Sequence, residues 1–271
     1  MKKECVKLWE NTPGVINGAK PVEEPTVTYY SSENRKSNGA VVIFPGGGYA
    51  ALAEHEGKGY AEFLNSRGID AFVVEYRVKP YSFPFPLLDA RRGVRYVRYN
   101  AEKFGINPDK IAVMGSSAGG HLAALVSTYR GELEFENSDE IDSVDYMPNF
   151  QVLAYPVINF TDLNVCHCGS VQNLVGSNDC SLYLARELDP AVIADKNTPP
   201  AFIWHTSDDG GVNVRNSLVY GGKLRDLEIP FEMHIYPNGP HGLGTAPNYP
   251  HVASWCDALI RWFEYVGFIE K

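Results

Sequence analysis

Ser117 stands at the centre of Gly115-Ser116-Ser117-Ala118-Gly119, between an unbroken apolar run at 111–114 and another at 121–126. The first run reads as a buried strand and the second as a buried helix. Glycine and serine are common at any strand-to-helix junction. Glycines two residues either side of a serine also fit a nucleophile elbow, where a strained turn lifts the hydroxyl over the sheet edge. A serine nucleophile needs a base, and the base needs an acid to orient it. His241 lies in "PNGPHGLG", and Asp208 and Asp209 lie in "TSDDGGVNV". Taken singly, these are an ordinary turn and an ordinary loop histidine. Taken in order, Ser117, Asp209 and His241 each come after a strand-like apolar run. The stretch "VVIFPGGGYA" at 41–50 puts three glycines after a fourth such run. Backbone N–H groups in a loop without side chains can face a developing oxyanion.

These residues can meet only if strands deliver them to one edge of a sheet. Hydrophobic patterning and turn residues place strands at 26–30, 40–44, 69–78, 111–114, 150–158, 201–205 and 231–236. Helices are expected at 57–68, 86–105, 121–126, 214–228 and 251–266. This alternation implies an α/β fold with a mostly parallel central sheet and helices on both faces. The first two strands, joined by "SSENRKSNG", suggest an antiparallel start. Residues 159–200 break the rhythm and read as a small cap insertion over the carboxyl edge, with one short helix at 181–189. Asn159, Asp162, Asn164, Asn173, Asn178 and Asp179 make that insertion polar. The whole of 1–271 reads as a single domain.

Composition narrows the function. The 271 residues are 44% hydrophobic and 21% charged, as in ordinary globular proteins. A net charge of −9 without a basic stripe argues against nucleic acid and anionic membranes as partners. The start "MKKECVKLWENTPG" lacks an apolar signal core, and no segment approaches the roughly 18 apolar residues of a membrane span. Cys5, Cys166, Cys168, Cys180 and Cys256 are odd in number and scattered, which fits reduced thiols and a cytoplasmic location. Cys166-His167-Cys168 invites a metal, but no second ligand pair at zinc-like spacing follows, so no metal is expected. Gly46-x-Gly48-x-x-Ala51, with Glu75 ending the next strand, also fits a dinucleotide fingerprint. That reading leaves Ser117, Asp209 and His241 unexplained, and the hydrolase reading uses them all.

The order Ser, Asp, His after successive strands is that of the α/β-hydrolase fold. The chain resembles α/β-hydrolase esterases of the hormone-sensitive-lipase-like and acetyl-xylan/feruloyl esterase-like groups. The resemblance rests on "FPGGGY", "GSSAGGHLAA", "HTSDDGGVNVRNSL" and "YPNGPHGLG", and spans nearly the whole chain. It implies Ser117 as nucleophile, His241 as base, Asp209 as its orienter, and the N–H groups of Gly47, Gly48 and Ala118 as the oxyanion hole. It implies no cofactor. Pro45 stands where the related His-Gly-Gly-Gly motif has histidine, and Asn213 stands where relatives usually have proline, which keeps Asp208 as the alternative acid. "DLNVCHCGSVQNLVG" at 162–176 is similar to a cap stretch of such esterases. The expected reaction is hydrolysis of short acyl esters, acetyl foremost, on a small-molecule substrate such as an acetylated sugar. The same triad would serve a formamidase or a small serine peptidase, and a non-catalytic small-molecule binder is the reading from another class. The oligomeric state is left open by the sequence.

Overall fold

The strand at Ala40–Phe44 is buried at every position, and its side chains alternate between two apolar layers. Val42 and Phe44 belong to one layer, Val41 and Ile43 to the other. Such a run shows no polar alternation because helices cover both faces of the sheet. The computed structural model describes residues 2–16, 24–135, 139–177 and 183–269. Asn178, Asp179, Cys180 and the start of the helix expected at 181–189 lie outside the described residues.

The strands are β1 (Lys2–Lys7), β2 (Thr26–Ser31), β3 (Ala40–Phe44), β4 (Asp70–Glu75), β5 (Ile111–Ser116), β6 (Phe150–Ala154), β7 (Ala201–Thr206) and β8 (Phe231–Tyr236). They form one sheet in the order β1-β2-β4-β3-β5-β6-β7-β8. β1 pairs antiparallel with β2 and β2 with β4; the remaining pairs are parallel. The helices are α1 (Glu54–Ser66), α2 (Phe85–Tyr99), α3 (Ala101–Phe104), α4 (Ser117–Thr128), α5 (Cys168–Val175), α6 (Tyr183–Glu187), α7 (Pro190–Ile193), α8 (Arg215–Asp226) and α9 (Pro250–Tyr265). Apolar side chains of α1 and α9 pack on one face, and those of α2, α4 and α8 on the other. Among the described residues no helix is long and apolar enough to cross a membrane.

Several expected elements are corrected. The antiparallel start exists, but β2 lies beside β4 rather than its sequence neighbour β3. β1 escapes a reading for periodicity because "KKECVK" is an edge strand with little burial pattern. The helix expected at 86–105 is divided at Asn100, whose amide bonds back to Tyr96 O at 2.8 Å. The strand expected at 150–158 ends at Ala154, since Tyr155 turns to φ +34. Between β6 and β7 the described residues carry three helices rather than one. α5 is too short to show a hydrophobic period, and its first turn is capped by the His167 side chain on Ser170 N–H.

The strand expected at 69–78 stops at Glu75, and the residues after it take up polar duties. Arg77 and Asp89 are wholly buried. The Asp89 carboxylate accepts from Arg77 N–H at 2.9 Å, from its Nε at 2.8 Å and from a terminal nitrogen at 2.7 Å; the Trp9 indole adds a fourth bond at 3.1 Å. Removing the carboxylate strands a buried guanidinium. Asp89→Ala is therefore expected to lower the unfolding free energy by about 3–5 kcal/mol, read from urea titration. A change under about 1 kcal/mol would contradict this account of the pair.

Candidate active site

β5 brings the chain in extended conformation to Ser116, and Ser117 then opens α4 at φ +52. That left-handed conformation costs a non-glycine residue about 1–3 kcal/mol and persists only where packing enforces it. The packing is severe. A Cβ at Gly115 would lie 2.0 Å from Gly119 O, and a Cβ at Gly119 would lie 2.0 Å from Phe44 O. The two glycines thus let the turn close on itself and press against the end of β3. Ser116 is wholly buried, with its hydroxyl donating to Tyr60 Oη at 3.2 Å.

The loop after β8 brings His241 to the serine, with Nε2 at 2.8 Å from Ser117 Oγ. On the other side of the ring, Nδ1 lies 2.8 Å from Asp209 Oδ2. Asp209 follows β7, its side chain only 1% exposed. Its second oxygen accepts from Gly211 N–H at 2.8 Å and Val212 N–H at 2.9 Å. Burial pushes the Asp209 carboxyl up, but bonds from His205 and His241 and the Val212 N–H outweigh it and hold the group well below the usual carboxylate range. Asp208 points elsewhere, accepting from Gly239 N–H at 2.7 Å and Asn238 at 3.1 Å. Of the adjacent aspartates, only Asp209 is bonded to the imidazole.

The glycine loop runs past the serine, where a Cβ on Gly46 would sit 3.2 Å from Ser117 Cβ. Every carbonyl of the three glycines is occupied. Gly46 O accepts from Ala53 N–H at 2.9 Å, Gly47 O from Ala50 and Ala51 N–H at 3.1 Å each, and Gly48 O from Asn173 Nδ2 at 2.8 Å. A trans peptide points its N–H opposite its carbonyl, so the N–H groups of Gly47 and Gly48 turn the other way. Among the described residues neither of them donates to a protein acceptor, and nor does Ala118 N–H. Gly47 and Gly48 have φ of +131° and +66°, which suits glycine. The dinucleotide reading fails on position: the next helix begins only at Glu54, and the Glu75 carboxylate accepts from Thr26 Oγ1 at 2.8 Å.

Sequence reasoning passed over several neighbours. His205, at the end of β7, lies 3.3 Å from Asp209 Oδ2 and donates from Nε2 to Val212 O at 3.0 Å, while Nδ1 pairs with Ser217 Oγ at 2.8 Å. Its place four residues before Asp209 is the one signal the sequence carries for it. His167 faces the glycine loop from the cap, its Nδ1 paired with Ser170 at 2.8 Å. Burial, and then the nearby His241, hold the His167 imidazole below its ordinary range. Most of the described polar cap residues build local turns: Asn159 accepts from the N–H groups of Thr161 and Asp162, and Asp162 from that of Asn164. Asn173 alone of that set bonds to the glycine loop.

The BD-FAE family profile matches residues 28–224, a span holding Ser117, Asp209 and the glycine loop. An acetylxylan esterase of Xylanibacter ruminicola is 35% identical over 241 residues, covering 85% of this chain and 46% of that protein. Endo-1,4-beta-xylanase B of Butyrivibrio fibrisolvens is 34% identical over 235 residues, covering 85% of this chain and 36% of that protein. The chain thus spans less than half the length of these curated relatives. The crystal structure of an acetyl ester-xyloside bifunctional hydrolase from Caldicellulosiruptor lactoaceticus matches with a TM-score of 0.90 and 42% identity, covering 98% of this chain and 97% of that one.

His121 anchors the glycine loop from within α4. Its Nε2–H donates to Leu188 O at 2.8 Å, so Nδ1 accepts the Tyr49 hydroxyl at 2.7 Å. Burial pushes this imidazole down from 6.5 to about 3. The unfolded chain takes up a proton here as pH falls below 6.5, whereas the folded chain does so only near 3. Stability from this site is therefore complete above the upper value and is lost as pH falls through that window. Urea midpoints should decline accordingly, with the imidazole still neutral by ¹⁵N NMR near pH 5. A protonated His121 in the folded protein at that pH would contradict the assignment.

Proposed function

We propose, for a chain that belongs to the BD-FAE family of α/β-hydrolases, that it is a serine carboxylesterase removing short acyl groups, acetyl foremost, from carbohydrate hydroxyls. One observation carries the reading: the hydrogen-bonded path from Ser117 Oγ through His241 to Asp209, 2.8 Å at each step, beside three N–H groups with no protein acceptor. His241 Nε2 takes the Ser117 proton as Oγ attacks the ester carbonyl. The N–H groups of Gly47, Gly48 and Ala118 receive the oxyanion, and the imidazolium returns its proton to the departing alcohol oxygen. Water then repeats the sequence on the acyl-enzyme. Asp209 stays ionised throughout, fixing the imidazole tautomer without taking its proton.

The alcohol portion is read from what surrounds the loop. Past Asn173 lies a groove of about 290 Å³ lined by Lys79, Pro80, Gln172, Asn173, Gly176 and Ser177, well supplied with donors and acceptors for sugar hydroxyls. The relatives named for acetylxylan and acetyl ester-xyloside hydrolysis support the same substrate class. The cytoplasmic location belongs to this proposal, on the thiol usage already described.

Ser117→Ala is expected to abolish fluorophosphonate labelling in a folded protein, and Ser116→Ala to preserve it. Labelling lost only in the Ser116 variant would reject the assignment. Asp209→Asn should lower kcat by about 10⁴-fold through the wrong imidazole tautomer, and Asp208→Asn by far less. Equal losses at both positions would remove the distinction between them. Across nitrophenyl esters kcat/KM should peak at acetate, with acetate released from acetylated xylo-oligosaccharides. A peak at octanoate, or faster cleavage of amides than of esters, would sink the substrate assignment.

A further inference from the structure

Glu56, in the first turn of α1, is 3% exposed. Among the described residues no lysine or arginine reaches its carboxylate; the exposed imidazole of His55 lies 3.8 Å away. An apolar residue would be easier to bury in such a place. The two oxygens are divided between two segments of the site. Oε2 accepts from Gly46 N–H at 2.9 Å, and Oε1 accepts from the Tyr155 hydroxyl at 2.7 Å.

The first bond fixes the approach to the glycine loop. The peptide that carries Gly46 N–H has Pro45 O at its other end, and Tyr76 donates to that oxygen at 2.6 Å. The peptide is clamped from both sides just before Gly47. The second bond reaches the base. The Tyr155 hydroxyl accepts from Gly244 N–H at 2.9 Å, in the His241 loop, and its ring meets the imidazole edge to face with centroids 5.1 Å apart. His55 holds the same loop from outside, 2.9 Å from Gly242 O. The φ of +34 at Tyr155 indicates that this placement is imposed by its surroundings.

We propose that Glu56 is a positioning residue for acyl transfer: its carboxylate ties the glycine loop, through Gly46, to the base loop, through Tyr155 and Gly244, and so fixes the oxyanion donors relative to the imidazole. This rests on the reading of Ser117, His241 and the glycine loop as an esterase centre. Contacts to the oxyanion strengthen in the transition state, so a misplaced loop lowers kcat and leaves KM nearly unchanged.

The test uses Glu56→Gln, Glu56→Met and Tyr155→Phe, with nitrophenyl acetate as substrate and active sites counted by exhaustive fluorophosphonate labelling. Glutamine retains an oxygen for Gly46 but turns an amide N–H₂ toward Tyr155; methionine loses both bonds; Tyr155→Phe keeps the Gly46 bond and cuts the arm to Gly244, together with a 3.2 Å contact to the Tyr60 hydroxyl. Per labelled site, kcat is expected to fall about tenfold in the glutamine and phenylalanine variants and about a hundredfold in the methionine variant, with KM within about threefold of the parent. Counting labelled sites separates this loss from misfolding, and the two milder variants decide the matter if the methionine variant does not fold. If Ser117→Ala is inactive while both milder variants keep kcat within about threefold, or lose only in KM, the positioning role is overturned. Hydrolysis that survives Ser117→Ala overturns the esterase reading itself, and this proposal with it.

Discussion

The left-handed turn at Ser117 is the constraint on which the site depends. A serine held at φ +52 is unfavourable in isolation, and it survives because Gly115, Gly119 and Gly46 let the neighbouring backbone close around it. Gly115 and Gly119 approach so closely that neither has room for a methyl group, and the carbonyl at the end of β3 closes the remaining gap. The same contact sets the serine beside the glycine loop, because that loop begins where β3 ends. Strain at one residue therefore locates the serine and the glycine loop together.

The remaining parts arrive by sheet topology. β7 and β8 run parallel to β5, so all three release their chains at the same edge, and Asp209 and His241 come from adjacent strands. Asp209 is held more heavily than His241. Asp209 is buried and held by two backbone N–H groups with a histidine beneath it, whereas His241 sits on a loop with its side chain 28% exposed. A buried, multiply bonded carboxylate can fix an imidazole without giving up its own charge.

What the sequence reveals follows the range of the physics involved. The Gly-Ser-Gly spacing is legible because its cause is steric and lies within a few residues. Strands with both faces covered are legible because burial leaves an unbroken apolar run. The pairing of β2 with β4 is not, since nothing within "TVTYYS" states which neighbour it will take. Glu56 and Tyr155 are invisible for the same reason: they lie far apart in the chain, and each looks unremarkable until the fold sets them in contact. Helix α5 is illegible in the sequence because its start depends on a histidine cap rather than on the usual serine, threonine, asparagine or aspartate.

The bond from Asn173 to Gly48 O has a consequence for how this scaffold can diversify. In many α/β enzymes the segment that chooses the substrate is separate from the machinery that turns it over, and the two can be exchanged like modules. Here a side chain of the insertion grips the backbone of the loop assigned to the oxyanion. Under the proposed function, selectivity and turnover would share an atom-level contact. Any lineage, natural or engineered, that remodels the insertion to admit a new alcohol must preserve or replace that grip, which narrows the loop exchanges the scaffold can accept.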